Sequence, residues 1–371
     1  MPSLFEPLRI GGLTLRNRIG LSPMCQYSAV EGVANDWHQV HLGRYAAAGL
    51  GVIFTEATHV TRPGRITPGC LGLWTDEQGA AIAPILKSIR TIDPEVKLGI
   101  QLAHSGRKGS ADLPWKGGKP LADGSAWETV APSALPHDEG WPTPRALDAG
   151  ELPGIVEAFV ASARRALAAG FEVVELHGAH GYLIHTFLSP VSNHRTDAYG
   201  GSREKRMRFP LEVATAVRAV WPKDKAFGLR LSGQDYLDGG MSIDDTVVFA
   251  RELKGIGVDF FDISGGGIWP SKLKVTVGPG YQVPSAERVK AEIGLPTFAV
   301  GMILDGKQAE DIVQTGKADA VLVGRGHLRE PFWGWRAAEA LGARHFTPPQ
   351  YLRAGERPGA NVPRTTLVAK G

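Results

Sequence analysis

Two imidazoles and a phenol lie close together in His177-Gly178-Ala179-His180-Gly181-Tyr182. The preceding run, Phe171-Glu172-Val173-Val174-Glu175-Leu176, reads as a buried strand. Side chains alternate along a strand, so His177 and His180 cannot share one of its faces. If both serve one site, the strand ends near Gly178 and the chain turns there, which Gly178 and Gly181 permit. Such a turn offers hydrogen-bond donors for an oxyanion and an acid that can deliver a proton. A metal site is the alternative, with His104 as a third imidazole, although no carboxylate is poised to complete it.

Other polar residues fall at the ends of apolar runs. They are Ser22 and Cys25, Gln101 and His104, Arg230, the run Ser264-Gly265-Gly266-Gly267, and Gly324-Arg325. In Phe227-Gly228-Leu229-Arg230-Leu231-Ser232 the leucines occupy the opposite face, so Arg230 points inward. A buried guanidinium needs an anion. That anion is either Glu175, which shares strand parity with His177, or a ligand that carries or develops negative charge. Gly301, Gly324 and Arg325, at the ends of the last two runs, suggest a phosphate cradle. Cys25 is either a small buried hydrophobe or a functional thiol. Cys70, beside Gly69 in a connection, reads as structural.

The elements that must position these groups are eight short β-prone runs. They span Ile19 to Met24, Gly51 to Ala57, Leu98 to His104, Val173 to Leu176, Phe227 to Ser232, Asp259 to Gly265, Pro296 to Gly301 and Ala320 to Gly324. Helix-period segments such as Glu151 to Ala169, Arg203 to Val220, Asp244 to Gly255 and Gly306 to Thr315 lie between them. Strand–helix alternation implies parallel pairing with covered faces. Eight units predict an α/β fold of the (β/α)8 TIM-barrel type, whose active sites sit at the C-terminal strand ends. A doubly wound sheet would need a Gly-rich turn after its first strand, and Ser22-Pro23-Met24-Cys25-Gln26-Tyr27 is not one. Leu4 to Leu15 reads as a hairpin turning at Gly11-Gly12 and closing the N-terminal end of the barrel. Residues 105–147, rich in Gly and Pro, read as a lid insertion after the third strand. The whole chain, 1–371, is thus expected to be a single barrel domain with a polar tail at 348–371.

The 371 residues are 43% hydrophobic and 21% charged, with a net charge of +3, which leaves no footprint of a nucleic-acid binder. Two cysteines without metal-ligand spacing argue against a disulfide framework and fit a reducing cytoplasm. No signal peptide or membrane span is expected.

Ser22-Pro23-Met24-Cys25-Gln26-Tyr27, Gln101-Leu102-Ala103-His104-Ser105-Gly106-Arg107-Lys108 and the His177–Tyr182 segment together resemble the Old Yellow Enzyme family of ene-reductases, as does Asn193-His194-Arg195-Thr196-Asp197-Ala198-Tyr199-Gly200-Gly201-Ser202. Cys25 with Tyr27 is similar to the thermophilic-like bacterial subclass that includes xenobiotic reductase A. The resemblance implies a barrel holding FMN without a covalent bond and reduced by NADPH or NADH. Activated alkenes, such as α,β-unsaturated carbonyl and nitro compounds, would be its small-molecule substrates. It places Ser22, Pro23, Met24, Cys25, Ala57, Gln101 and Arg230 around the flavin ring, and Gly324 and Arg325 at the phosphate. His177 and His180 would hold the substrate oxygen with help from Tyr27, and Tyr182 would donate the proton. It further implies a homodimer or homotetramer in which an arginine enters a neighbour's active site. Arg353 matches that position and Arg357 competes for it. Rival readings are a metal-dependent barrel hydrolase using His177 and His180, and a flavin-binding barrel without turnover.

Overall fold

A computed structural model describes residues 1–354. Eight strands form the barrel: β1 Ile19–Leu21, β2 Val52–His59, β3 Lys97–Ala103, β4 Val173–Gly178, β5 Ala226–Ser232, β6 Phe260–Ser264, β7 Thr297–Ala299 and β8 Ala320–Val323. They close in consecutive order, every neighbour parallel. The helices are α1 Asp36–Ala46, α2 Asp76–Ile92, α3 Leu152–Ala169, α4 Leu183–Leu188, α5 Arg203–Val220, α6 Ile243–Ile256, α7 Val283–Ile293, α8 Gly306–Gln314, α9 Arg325–Arg329 and α10 Trp333–Leu341. The barrel expected from strand–helix alternation is therefore present. The first strand is shorter than expected, ending at Leu21 rather than Met24. Ser22 N still donates to Val323 O at 3.1 Å before the chain leaves the sheet.

Helix starts follow their local chemistry. Asn35, Thr75 and Ser242 each accept from backbone N–H groups of the first turn, and His38, Gln78 and Asp245 reach back in capping boxes. Helices α3, α6 and α7 stop at Gly170, Gly257 and Gly294, all left-handed.

Strands buried on both faces account for the apolar runs. Near the N-terminal end the barrel is filled by Val52, Phe54, Val173, Phe260 and Phe298. Phe260 stacks on Phe298 with ring centroids 5.1 Å apart. Glycine at 228 makes room for this layer, because a Cβ there would lie 2.3 Å from the Phe260 ring. The hairpin, Leu8–Ile10 paired antiparallel with Leu13–Leu15, adds Leu8, Ile10 and Leu15 to the same cluster. It closes this end of the barrel, as its sequence predicts.

Residues 105–147 carry short 3-10 turns and the two-residue strands Val130–Ala131 and Arg145–Ala146. The buried Arg107 fastens this segment, donating to Leu135 O at 3.2 Å, Pro136 O at 2.9 Å and Ile268 O at 2.7 Å. The chain past α10 ends its described part in the turn Pro349–Ala354, where Arg353 is exposed. The competing Arg357 and the rest of the expected tail lie outside the described residues. Among the described residues no helix is long and apolar enough to cross a membrane.

Truncating Phe260 to alanine removes the central ring of this layer and leaves a cavity that glycine neighbours cannot fill. We expect a loss of about 3–5 kcal/mol, read as a lower urea-unfolding midpoint at unchanged slope.

Candidate active site

The deepest polar feature is a charge inside the barrel. Arg230 on β5 lies in register with His177 on β4 and Asp262 on β6, so all three side chains face inward. Its Nε donates to Asp262 Oδ2, and its Nη2 donates to Ser22 Oγ at 2.9 Å. The sequence reading offered Glu175 as the internal partner. Instead the ion pair is with Asp262, because the β5–β6 register sets these two residues side by side. Glu175 accepts from Gln101 Nε2 at 2.7 Å, and its Oε2 has no partner. Burial opposes the Arg230 charge, but the adjacent Asp262 carboxylate outweighs it and holds the guanidinium charged. Burial also raises the Glu175 carboxyl, and Asp262 raises it further, while Arg230 and Gln101 pull the other way. The net shift is upward, so Glu175 keeps its proton well beyond the ordinary carboxyl range.

Strand β4 ends at Gly178, and the chain turns as the two histidines require. His180 adopts a left-handed φ of 60°, as does Tyr27 at 52°. Such values are uncommon outside glycine and cost of order 1–3 kcal/mol. Several contacts hold the turn. His180 N donates to Ser232 Oγ at 3.1 Å, and Lys108 Nζ donates to His180 O at 2.8 Å. Gly181 N donates to His185 Nδ1 at 2.8 Å, and His185 Nε2 lies 2.8 Å from Asp235 Oδ1. The Ser264–Gly267 run packs backbone to backbone against this turn. A Cβ on Gly267 would lie 2.8 Å from His180 O, and one on Gly181 would lie 2.4 Å from Gly267 O.

The result is a converging group. His177 Nε2 and His180 Nδ1 are 3.2 Å apart, and the Tyr182 ring stands edge-on to His177 at 4.5 Å. Ala179 N donates to His177 Nδ1 at 3.2 Å. Burial first, then Arg230 and neighbouring cations, lowers both imidazoles well below their usual range, so they are neutral. With Nδ1 accepting from a backbone N–H, neutral His177 must carry its proton on Nε2. Burial raises the Tyr182 phenol well above its usual range, so it stays protonated. Lys108 sits over the Tyr182 ring at 4.7 Å, with its pKa lowered to about 8 by burial and then Arg107.

Cys25, Tyr27 and Tyr182 pack together against a small cluster of Ile66, Cys70 and Ala111. Burial raises the Cys25 thiol, with Cys70 and Glu56 adding to it, so Cys25 is a thiol rather than a thiolate. Cys70 is fully buried and accepts from Thr67 N at 3.3 Å, in keeping with a structural role. Ala57 is paired with Gln101 across β2 and β3. Gly301 is left-handed, at φ 106°, beyond the end of β7. Gly324 follows β8 beside Met24 and Ser22, where a Cβ would lie 3.3 Å and 3.7 Å from them. Arg325 is exposed and forms no ion pair among the described residues.

These groups suit a flavin mononucleotide. Arg230 Nη1 and Gln101 Oε1 have no protein partner among the described residues and remain available to a polar ring edge. Arg325 beside two strand-end glycines offers a cation for a phosphate. Among the described residues no three metal-capable side chains gather, so His177 and His180 lack the set that a metal hydrolase requires. Asp262, Asp235 and His185 went unnoticed in the sequence. A charged residue in the apolar run Phe260-Phe261-Asp262-Ile263 was the available signal for the first.

Comparison with known proteins bears on the fold and the family. The profile described as "NADH:flavin oxidoreductase / NADH oxidase family" matches residues 3–343. An NADPH dehydrogenase of Geobacillus thermodenitrificans is 43% identical over 94% of this chain and 98% of its own length. Morphinone reductase in complex with tetrahydroNAD superposes with a TM-score of 0.76 at 30% identity, covering 94% of each chain. The old yellow enzyme homologue from Zymomonas mobilis gives a TM-score of 0.75 at 26% identity over 93% of this chain and 94% of its own.

Unfolding should release the proton that native Glu175 retains, so this group makes stability fall as pH rises above the unfolded carboxyl value of about 4.3. In the flavin-free protein, Glu175→Gln should therefore flatten the decline of unfolding free energy between pH 5 and neutrality. An unchanged slope would show that Glu175 ionises normally.

Proposed function

Because this chain belongs to the NADH:flavin oxidoreductase / NADH oxidase family, and to the Old Yellow Enzyme group within it, we propose that its strand-end site reduces the carbon–carbon double bond of activated alkenes. It is an NAD(P)H-dependent flavin oxidoreductase. The substrates proposed are α,β-unsaturated carbonyl compounds, maleimides and nitroalkenes. The observation that carries the reading is the pair of neutral imidazole nitrogens, 3.2 Å apart, beside a phenol that keeps its proton.

Ser22, Pro23, Met24, Cys25, Ala57, Gln101 and Arg230 would hold the FMN ring, and Gly301, Gly324 and Arg325 its phosphate. When bound, FMN supplies the hydride that NADPH or NADH provides. Arg230 places a fixed positive charge on the ring side of the site, which favours an electron-rich ligand there. His177 and His180 direct N–H groups at the substrate's carbonyl or nitro oxygen. As hydride reaches the β-carbon, negative charge grows on that oxygen, and each donor strengthens its bond without reorganising. Tyr27, in contact with the same cluster, helps orient the substrate. Tyr182 then delivers its proton to the α-carbon, and a phenol with a reference pKa of about 10 is a suitable acid for that carbon.

Residues 105–147, pinned by Arg107, serve in this reading as the cover that limits water access. The exposed Arg353 is available to a neighbouring subunit in a homodimer or homotetramer.

In Tyr182→Phe, reduction of the flavin by NADPH should persist, while alkene reduction should slow by about 10²-fold or more. Stopped-flow measurement of the two half-reactions decides, and equal losses in both would remove Tyr182 from the acid role. His177→Ala should weaken binding of p-hydroxybenzaldehyde, whose phenolate mimics the enolate, by about 10–100-fold in a spectral titration. Unchanged affinity would rule out the oxygen-binding pair.

A further inference from the structure

The oxygen-binding pair raises a question of proton placement. A ligand oxygen between His177 Nε2 and His180 Nδ1 must accept from both. His177 is settled, because Ala179 N–H occupies its Nδ1 and a backbone amide cannot reverse its role. Nothing on the backbone fixes His180. In the free protein His180 Nδ1 lies 3.2 Å from His177 Nε2, which already carries a proton. Two N–H groups cannot face each other at that distance, so His180 Nδ1 accepts and its proton resides on Nε2.

On the far side of the ring, His180 Nε2 lies 2.7 Å from Ser264 Oγ. That is the only hydrogen bond of the Ser264 side chain among the described residues. Ser264 closes β6, is 5% exposed, and its carbonyl accepts from Gly233 N at 2.8 Å. The hydroxyl is therefore held in place yet free to rotate. A hydroxyl can accept from an imidazole N–H or donate to an imidazole lone pair.

We infer that Ser264 is a positioning residue that lets His180 change tautomer, accepting from Nε2–H in the free site and donating to Nε2 when a ligand oxygen is bound. The inference rests on the oxygen-binding reading above. In the change, one proton leaves Nε2 and one arrives at Nδ1, exchanged with solvent water, and the ring stays neutral throughout. The Ser264 hydroxyl keeps its own proton and only turns. Both states are then fully hydrogen-bonded. With alanine at 264, the bound state would leave the Nε2 lone pair without a donor, and the free state would leave Nε2–H without an acceptor.

The test uses the FMN-loaded enzyme and p-hydroxybenzaldehyde. In a spectral titration, Ser264→Ala should move the dissociation constant by less than about three-fold, since it removes one neutral hydrogen bond from each state, whereas the ¹⁵N shift of His180 Nε2 should move in both states and Ser264→Thr should restore it. In parallel, ¹⁵N-histidine NMR of the wild-type protein, assigned with His180→Asn, should show His180 protonated on Nε2 when free and on Nδ1 when bound. An unmoved Nε2 shift in Ser264→Ala, or a proton on the same nitrogen in both states, would overturn the inference. If His177→Ala weakens binding while Ser264→Ala leaves the His180 Nε2 shift unmoved, only the role of Ser264 falls. If His177→Ala leaves binding unchanged, the oxygen-binding reading itself falls. Should Ser264→Ala fail to fold, the wild-type NMR comparison still decides.

Discussion

The guanidinium of Arg230 is enclosed by a parallel barrel, and the site is organised around compensating it. An isolated cation there would be strongly unfavourable. Asp262 on β6 supplies the counter-charge, and Ser22 at the end of β1 takes a second N–H. Glu175 on β4, which accepts from Gln101 on β3, lines the same space. One buried charge thus connects the ends of β1, β3, β4, β5 and β6. Burial first, and then the Asp262 charge, disfavours a second carboxylate here, so Glu175 keeps its proton and leaves Arg230 and Asp262 as a neutral pair.

The same charge divides labour among the residues above it. Burial already disfavours protonated histidine, and Arg230 makes a further positive charge costlier. His177 and His180 are therefore neutral donors rather than acids. Proton delivery falls to a group that burial makes reluctant to ionise, and Tyr182 is that group. A histidine acid would repel the guanidinium each time it was reprotonated. A phenol is neutral in its loaded form and avoids that repulsion.

Much of this architecture was legible in the chain because it follows from periodicity and glycine placement. Apolar runs alternating with helix-period segments marked all eight strands, and the turn after Gly178 followed from the three-residue spacing of His177 and His180. Strand parity showed that Arg230 points inward. It could not choose between Glu175 and Asp262, since both have inward parity and the choice depends on how β5 registers against β6. The fastening of the turn by His185 and Asp235 was equally hidden. His185 lies on the six-residue helix α4, too short to announce itself by periodicity, and Asp235 lies in the loop after β5. Such contacts arise only once the loops at the C-terminal strand ends have been gathered in space.

Those loops explain why an unfavourable backbone conformation persists at His180. Its left-handed φ aims Nδ1 across at His177 instead of along the strand. The strain is sustained because neighbours hold the segment from several sides: Ser232 at its N–H, Lys108 at its carbonyl, and His185 at the following N–H. The close backbone contact between Gly181 and Gly267 leaves little room for the turn to relax. Donors fixed in this way need not reorient when charge develops on a bound oxygen, and it is that absence of reorganisation which makes an oxyanion site effective. The glycines of Ser264-Gly265-Gly266-Gly267 are thus part of the chemistry. Gly267 packs closely against the turn, and Ser264, held at the end of β6 by pairing with Ser232, lies 2.7 Å from His180 Nε2.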